Sequence, residues 1–167
     1  MVHRVLEIGP GDQPRHDVGG VELSDGDEYI ALDPNPSEFD FPIWRTLKEK
    51  FGSKVRMILG SREAIPENLG VFDEVVMLGS HGYPDKDLVE IDRVLATDGV
   101  LKFGVMSFGK DSFLEEWSPE LEKRGYVLVN EVESVYVGTS SIGLNWDLKP
   151  VEDPKPEPYT VLTFKKG

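Results

Sequence analysis

The chain has 167 residues, 39% of them hydrophobic, with no cysteine and a formal net charge of −13 at pH 7. That length suits one domain with a real core, so a single domain over 1–167 is expected. Lack of cysteine excludes disulfides, thiolate nucleophiles and Cys-based zinc sites, and the acid excess argues against a nucleic-acid partner.

Val2 to Ile8 is β-branched and apolar enough for a buried strand, and it stops at Gly9-Pro10-Gly11. Residues 12–28 carry Gly, Pro and Asp at a density that no stable helix tolerates, so they read as a long loop with room for a short helical turn. Tyr29 to Leu32 is a second strand, ended by Asp33-Pro34-Asn35-Pro36. Over 41–51, Pro42 in the first turn, the stripe Trp44, Leu47 and Phe51, and the stop at Gly52 predict a helix. Val55 to Leu59 and Phe72 to Leu78 are the third and fourth strands. In 85–95, Leu88, Ile91, Val94 and Leu95 recur at helical spacing, and Asp98-Gly99 closes the segment. Val100 to Met106 is a fifth strand. The stretch 111–124 is amphipathic through Phe113, Leu114, Trp117 and Leu121, though Pro119 should kink it or split it. Val127 to Val137 and Tyr159 to Phe164 are the last strands, joined by a long Pro-rich connection over 138–158.

Strands alternating with helices predict a parallel sheet covered on both faces by right-handed crossovers. The final pair has no helix between its members, so it should be antiparallel. No run of about 18 apolar residues exists, and no membrane span is expected. The N-terminal run lacks a signal peptide's apolar stretch, which makes the cytoplasm the expected location. His3, His16 and His81 show no ligand spacing, so no dedicated metal site is expected.

The sharpest motif is Val5-Leu6-Glu7-Ile8-Gly9-Pro10-Gly11. A strand ending in G-x-G lets the backbone pass close to a ligand, because glycine carries no side chain. By itself this also describes a plain tight turn. Two acids strengthen it: Glu7 precedes the turn, and Asp33 ends the next strand roughly twenty residues on, where a carboxylate can accept from ribose hydroxyls. Strand ends of a parallel sheet gather on one edge, so both acids are expected at one crevice. A nicotinamide dehydrogenase would want G-x-G-x-x-G, and position 14 is Pro.

With these motifs the sequence resembles the class I S-adenosylmethionine-dependent methyltransferases. "VLEIGPG" is similar to their first motif, "YIALDPNP" to the second, "FDEVVMLGSHGY" to the fourth strand, and "EIDRVLATDGVLKFGV" to the helix, turn and fifth strand. The resemblance implies a three-layer, Rossmann-like α/β fold with a mostly parallel seven-stranded sheet and an antiparallel last strand. It implies that Gly9, Pro10 and Gly11 meet the methionine part of S-adenosylmethionine, and that Glu7 holds either the loop or the amino group. Asp33 would bind the ribose beside Leu32 and Pro34. Ser61 and Arg62, with Leu78, Gly79 and Ser80, would form the adenine pocket. S-adenosylhomocysteine would be the product.

Two departures stand out. Gln13 replaces a frequent third glycine and no helix follows it, while Ser61 stands where many members place an acid. They motivate a second expectation, a non-catalytic S-adenosylmethionine-binding or protein-interaction module. The first expectation remains methyl transfer to a small molecule or, second, a protein side chain. His81, after the fourth strand, is the candidate general base, against the plainer reading of an ordinary loop histidine. Tyr136, Asn145 and Trp146 are candidates to line an acceptor pocket or lid. The acidic runs 22–28 and 152–153 read first as solvated loops, and if clustered they would favour a cationic or neutral acceptor. Oligomeric state is not legible.

Overall fold

A computed structural model describes residues 2–78, 81–136 and 157–167. Side chains in the central strands divide between two apolar layers, as a pleat of period two requires. In β1 (Arg4–Ile8), Leu6 and Ile8 join one layer and Val5 the other; in β2 (Glu28–Asp33), Ile30 and Leu32 oppose Tyr29 and Ala31. With β3 (Val55–Leu59), β4 (Phe72–Met77), β5 (Leu95–Met106), β6 (Tyr126–Tyr136) and β7 (Glu157–Lys166) they form one seven-stranded sheet. The strand order is β3-β2-β1-β4-β5-β7-β6. Six strands run parallel, and β7 lies antiparallel between β5 and β6. The expected antiparallel last strand is present.

The helices differ in how much of the sheet they cover. Leu88, Ile91 and Val94 of α2 (Pro84–Val94) and Phe113, Trp117 and Leu121 of α3 (Lys110–Lys123) pack into one layer. Burying each such side chain stabilises the fold by about 1.5–3 kcal/mol. Among the described residues the other layer has a single α-helix, α1 (Pro42–Phe51), which contributes Trp44 and Leu47, supplemented by Val21 and Leu23 from the β1–β2 connection. Helical connections thus lie on both faces, as expected, though unevenly: α1 on this one and α2 and α3 on the other. The connection from β1 to β2 holds only the short turn His16–Val18, and that from β3 to β4 only Glu67–Leu69.

Charge takes the place of an apolar helix beside the first connection. Arg15 meets Glu74 of β4 at 2.6 Å and Asp17 at 3.1 Å, and Lys102 of β5 meets Asp17 and Glu74 at 3.0 Å each. These half-enclosed pairs tie the loop to the sheet where no helix packs. Pro119 does not split the segment into two helices, since α3 runs through it without a break. Pro119 and Glu115 are exposed, so water can take the Glu115 carbonyl that loses its intrahelical partner, while the buried Phe113, Trp117 and Leu121 hold both halves. Among the described residues, no helix is long and apolar enough to cross a membrane.

Candidate functional site

The chain leaves β1 for β2 on one side and returns from β3 to β4 on the other. Strand order thus reverses beside β1, which is where open α/β sheets form a ligand crevice at the carboxyl ends of their strands. A cavity of about 370 Å³ opens there, lined by Ile8, Gly9, Gly11, Asp33, Pro34, Glu38, Ser61, Arg62 and Glu63. Ligand sites commonly fall in the range of about 300–1,000 Å³.

The glycine turn is held from both sides. Gly9 donates its amide to the Leu32 carbonyl at 2.8 Å, and the Trp44 indole N–H donates to the Gly11 carbonyl at 3.0 Å. Gly9 and Gly11 have φ of 66° and 57°, a left-handed conformation that other residues rarely adopt. Asp33, 7% exposed, accepts the Asn35 amide at 2.8 Å through Oδ1, which fixes its carboxylate at the cavity wall. Gly60 donates to the Asp33 carbonyl at 3.1 Å, and Ser61 and Ala64 pair in the tight loop that follows. Arg62 lies 3.2 Å from the buried Asp87 carboxylate of α2, so the β3 loop is tied to the start of that helix.

Of the residues expected to hold the cofactor, the cavity brings together Gly9, Gly11, Asp33, Pro34, Ser61 and Arg62. Pro10 is buried and lies outside the lining. Glu7 is fully buried and also lies outside it. Its Oε2 accepts from the Tyr29 hydroxyl at 2.7 Å and from the Arg15 amide at 2.8 Å, while Oε1 has no hydrogen-bond partner among the described residues. Of the two roles open to it, the geometry places Glu7 with the loop. Burial pushes its carboxyl up to about 7, against the lowering effect of those two hydrogen bonds. Gly79 and Ser80 lie outside the described residues, as do Asn145 and Trp146 and the side chain of Tyr136.

Leu78 instead lines a second cavity, of about 360 Å³, with His81, Gly104, Val105, Met106, Phe108, Gly109, Phe113 and Tyr159. His81 Nε2 is 2.6 Å from the Gly104 carbonyl, which can only accept. Nε2 therefore carries the proton and Nδ1 the lone pair. Burial holds this imidazole below its ordinary value, so the ring is neutral at pH 7. On the opposite side of β5, the Tyr159 hydroxyl donates to the Leu78 carbonyl at 2.6 Å.

Sequence reasoning missed Glu38 and the second cavity. Glu38 belongs to the short turn Pro36–Asp40, and only that turn carries it back over Gly11. The second cavity depends on Tyr159 crossing Gly104, a pairing of distant strands.

No family model matches the sequence, and no curated protein matches it. Among solved structures it superposes on precorrin-6y C5,15-methyltransferase from Geobacter metallireducens, with a TM-score of 0.69 at 20% identity, over 100% of this chain and 82% of that one. A TehB-like S-adenosylmethionine-dependent methyltransferase from Corynebacterium glutamicum gives 0.58 at 23% identity, over 99% and 80%. The fold is that of the class I methyltransferases. A 30S ribosomal A1408 methyltransferase from an uncultured bacterium shares this methyltransferase fold, with a TM-score of 0.61 at 15% identity over 99% and 88%. Another neighbour with the fold is a 16S rRNA (adenine(1408)-N(1))-methyltransferase from Catenulisporales acidiphilia, and the two overturn the expectation against a nucleic-acid partner. Net charge is a sum over the whole surface, whereas phosphate binding answers to one local groove.

Proposed function

We propose that the chain binds S-adenosylmethionine in the glycine-lined cavity and transfers its methyl group to a small molecule held in the second cavity. The observation that carries this reading is the meeting of Gly9, Gly11, Asp33, Ser61 and Arg62 in one cavity at the switch point of the sheet. The residues present suit the ligand. Two left-handed glycines leave room for a chain to pass, a fixed carboxylate suits a ribose, and the volume suits a nucleoside.

When bound, the sulfonium supplies an activated methyl group that a nucleophile displaces directly. The protein's part is then chiefly orientation, which contributes up to about 7–11 kcal/mol in well-aligned reactions. His81 supplies a base where the acceptor must lose a proton: its Nδ1 lone pair takes that proton while Nε2 stays bonded to Gly104. Phe108, Phe113, Met106 and Val105 give the second cavity an apolar wall, which suits an acceptor with an apolar body and one polar reacting group.

A specific observation favours binding without transfer as the second reading. The His81 ring packs against Phe113 at 5.0 Å and Phe103 at 6.1 Å, the setting of a histidine kept for packing. One experiment separates the two readings. Urea unfolding with S-adenosylmethionine at about 100 times its dissociation constant should show about 2.7 kcal/mol of added stability. Mass spectrometry after incubation with pooled small molecules, and separately with RNA, should show methylated product from the small-molecule pool. Stabilisation without product supports the second reading, product from RNA alone contradicts the small-molecule acceptor, and no stabilisation defeats both readings.

A further inference from the structure

We propose that Glu38 sets the specificity of the glycine-lined cavity, by recognising a positive charge on the bound sulfur and so favouring S-adenosylmethionine over S-adenosylhomocysteine. This inference rests on the cofactor reading above and adds to it a residue and a selectivity.

Local structure aims the carboxylate. Asn35 caps the turn Pro36–Asp40 by accepting the Ser37 amide at 3.2 Å, and its own side-chain amide donates to Glu38 Oε1 at 3.3 Å. With Oε1 engaged, Oε2 faces the glycine turn: a Cβ built on Gly11 would stand 3.6 Å from it. Glu38 is half-buried and belongs to the cavity wall. The Gly9–Gly11 turn is the portion of the wall that the family resemblance assigns to the methionine moiety, which carries the sulfur.

The surrounding charges act in the same direction. Asp33, Glu38 and Glu63 are the acids of the lining, and Arg62 is its one cation among the described residues. Arg62 lies 3.2 Å from the fully buried Asp87, which offsets its charge. A wall of this sign stabilises a sulfonium and gains nothing from a neutral thioether, while both ligands share the same ammonium and carboxylate. The difference between them therefore isolates the charge on sulfur. In a cavity that opens to water, one carboxylate acting on one nearby cation changes affinity on the order of tenfold. Because the cavity opens to solvent, salt should reduce the effect.

Calorimetry on the intact chain and on Glu38→Gln, with each ligand at low and high salt, tests this. The intact chain is expected to bind S-adenosylmethionine about tenfold more tightly than S-adenosylhomocysteine, with the ratio narrowing in high salt. Glu38→Gln should lose most of that ratio by weakening S-adenosylmethionine alone. Equal affinities in the intact chain, or tighter binding of the thioether, would overturn the inference while leaving the cofactor reading in place. Equal weakening of both ligands in the variant would also overturn it, since that marks a merely structural residue. If neither ligand binds the intact chain, the cofactor reading fails and this inference fails with it. The salt dependence needs no variant, so the test survives a Glu38→Gln chain that does not fold.

Discussion

Replacing Glu7 with glutamine should change how stability depends on pH. The Glu7 carboxyl titrates at about 7 in the folded chain against an ordinary 4.5, because burial penalises its charged form more than Tyr29 and Arg15 favour it. Between those values the folded chain keeps a proton that the unfolded chain has lost, so stability falls as pH rises. The contribution is complete below 4.5 and is lost as pH rises through about 7. Its full size is about 3 kcal/mol. Glu7→Gln removes this titration while an amide oxygen still accepts from Tyr29 and Arg15. The amide NH₂ would then occupy the site of Oε1, which has no partner among the described residues, at a cost of about 1–3 kcal/mol that does not vary with pH. The variant should therefore be less stable than the parent in acid, and the gap should close or invert by about pH 8. Urea unfolding of both chains from about pH 4.5 to 8 measures the gap, and other titrating groups cancel in the difference. Parallel curves, with a gap constant to within about 0.5 kcal/mol, would refute the assignment of a raised Glu7.

Gly104→Ala would set a Cβ 1.2 Å from the Tyr159 hydroxyl, so the ring must leave the Leu78 carbonyl. A loss of about 2–4 kcal/mol is expected in urea unfolding, and an unchanged midpoint would contradict the packing described. His81→Ala should lower turnover of a proton-bearing acceptor by about a hundredfold or more, with S-adenosylmethionine affinity unchanged by calorimetry. An unchanged rate removes His81 from the chemistry. Trp44→Phe deletes the bond to the Gly11 carbonyl and should cost about 1 kcal/mol of stability by urea unfolding.

The strand ends were legible because their signals are local. β-Branched runs stopped by glycine or by Asp33-Pro34 mark where a strand meets the crevice, and Gly9, Gly11 and Asp33 were found that way. Glu7 was only half legible. Its place on the strand was plain, but its side chain follows Val5 into the layer beneath the loop, away from the cavity. Glu38 was hidden because it depends on a capped turn of five residues rather than on any periodic pattern. The network of Arg15, Asp17, Glu74 and Lys102 joins residues up to 85 positions apart, beyond the reach of spacing rules. At Pro119 the sequence leaves a kink and a split both open, and three buried side chains of α3 keep the helix in one piece. Net charge misled on partners because it carries no position.

The account depends most on Asp33 as the carboxylate that meets the sugar of a bound nucleoside. Titration calorimetry with S-adenosylmethionine on the intact chain and on Asp33→Ala reads this directly. Binding to the intact chain, weakened in the variant by about 1.5–3 kcal/mol, is the expected result. Equal affinity in the two chains would contradict the site.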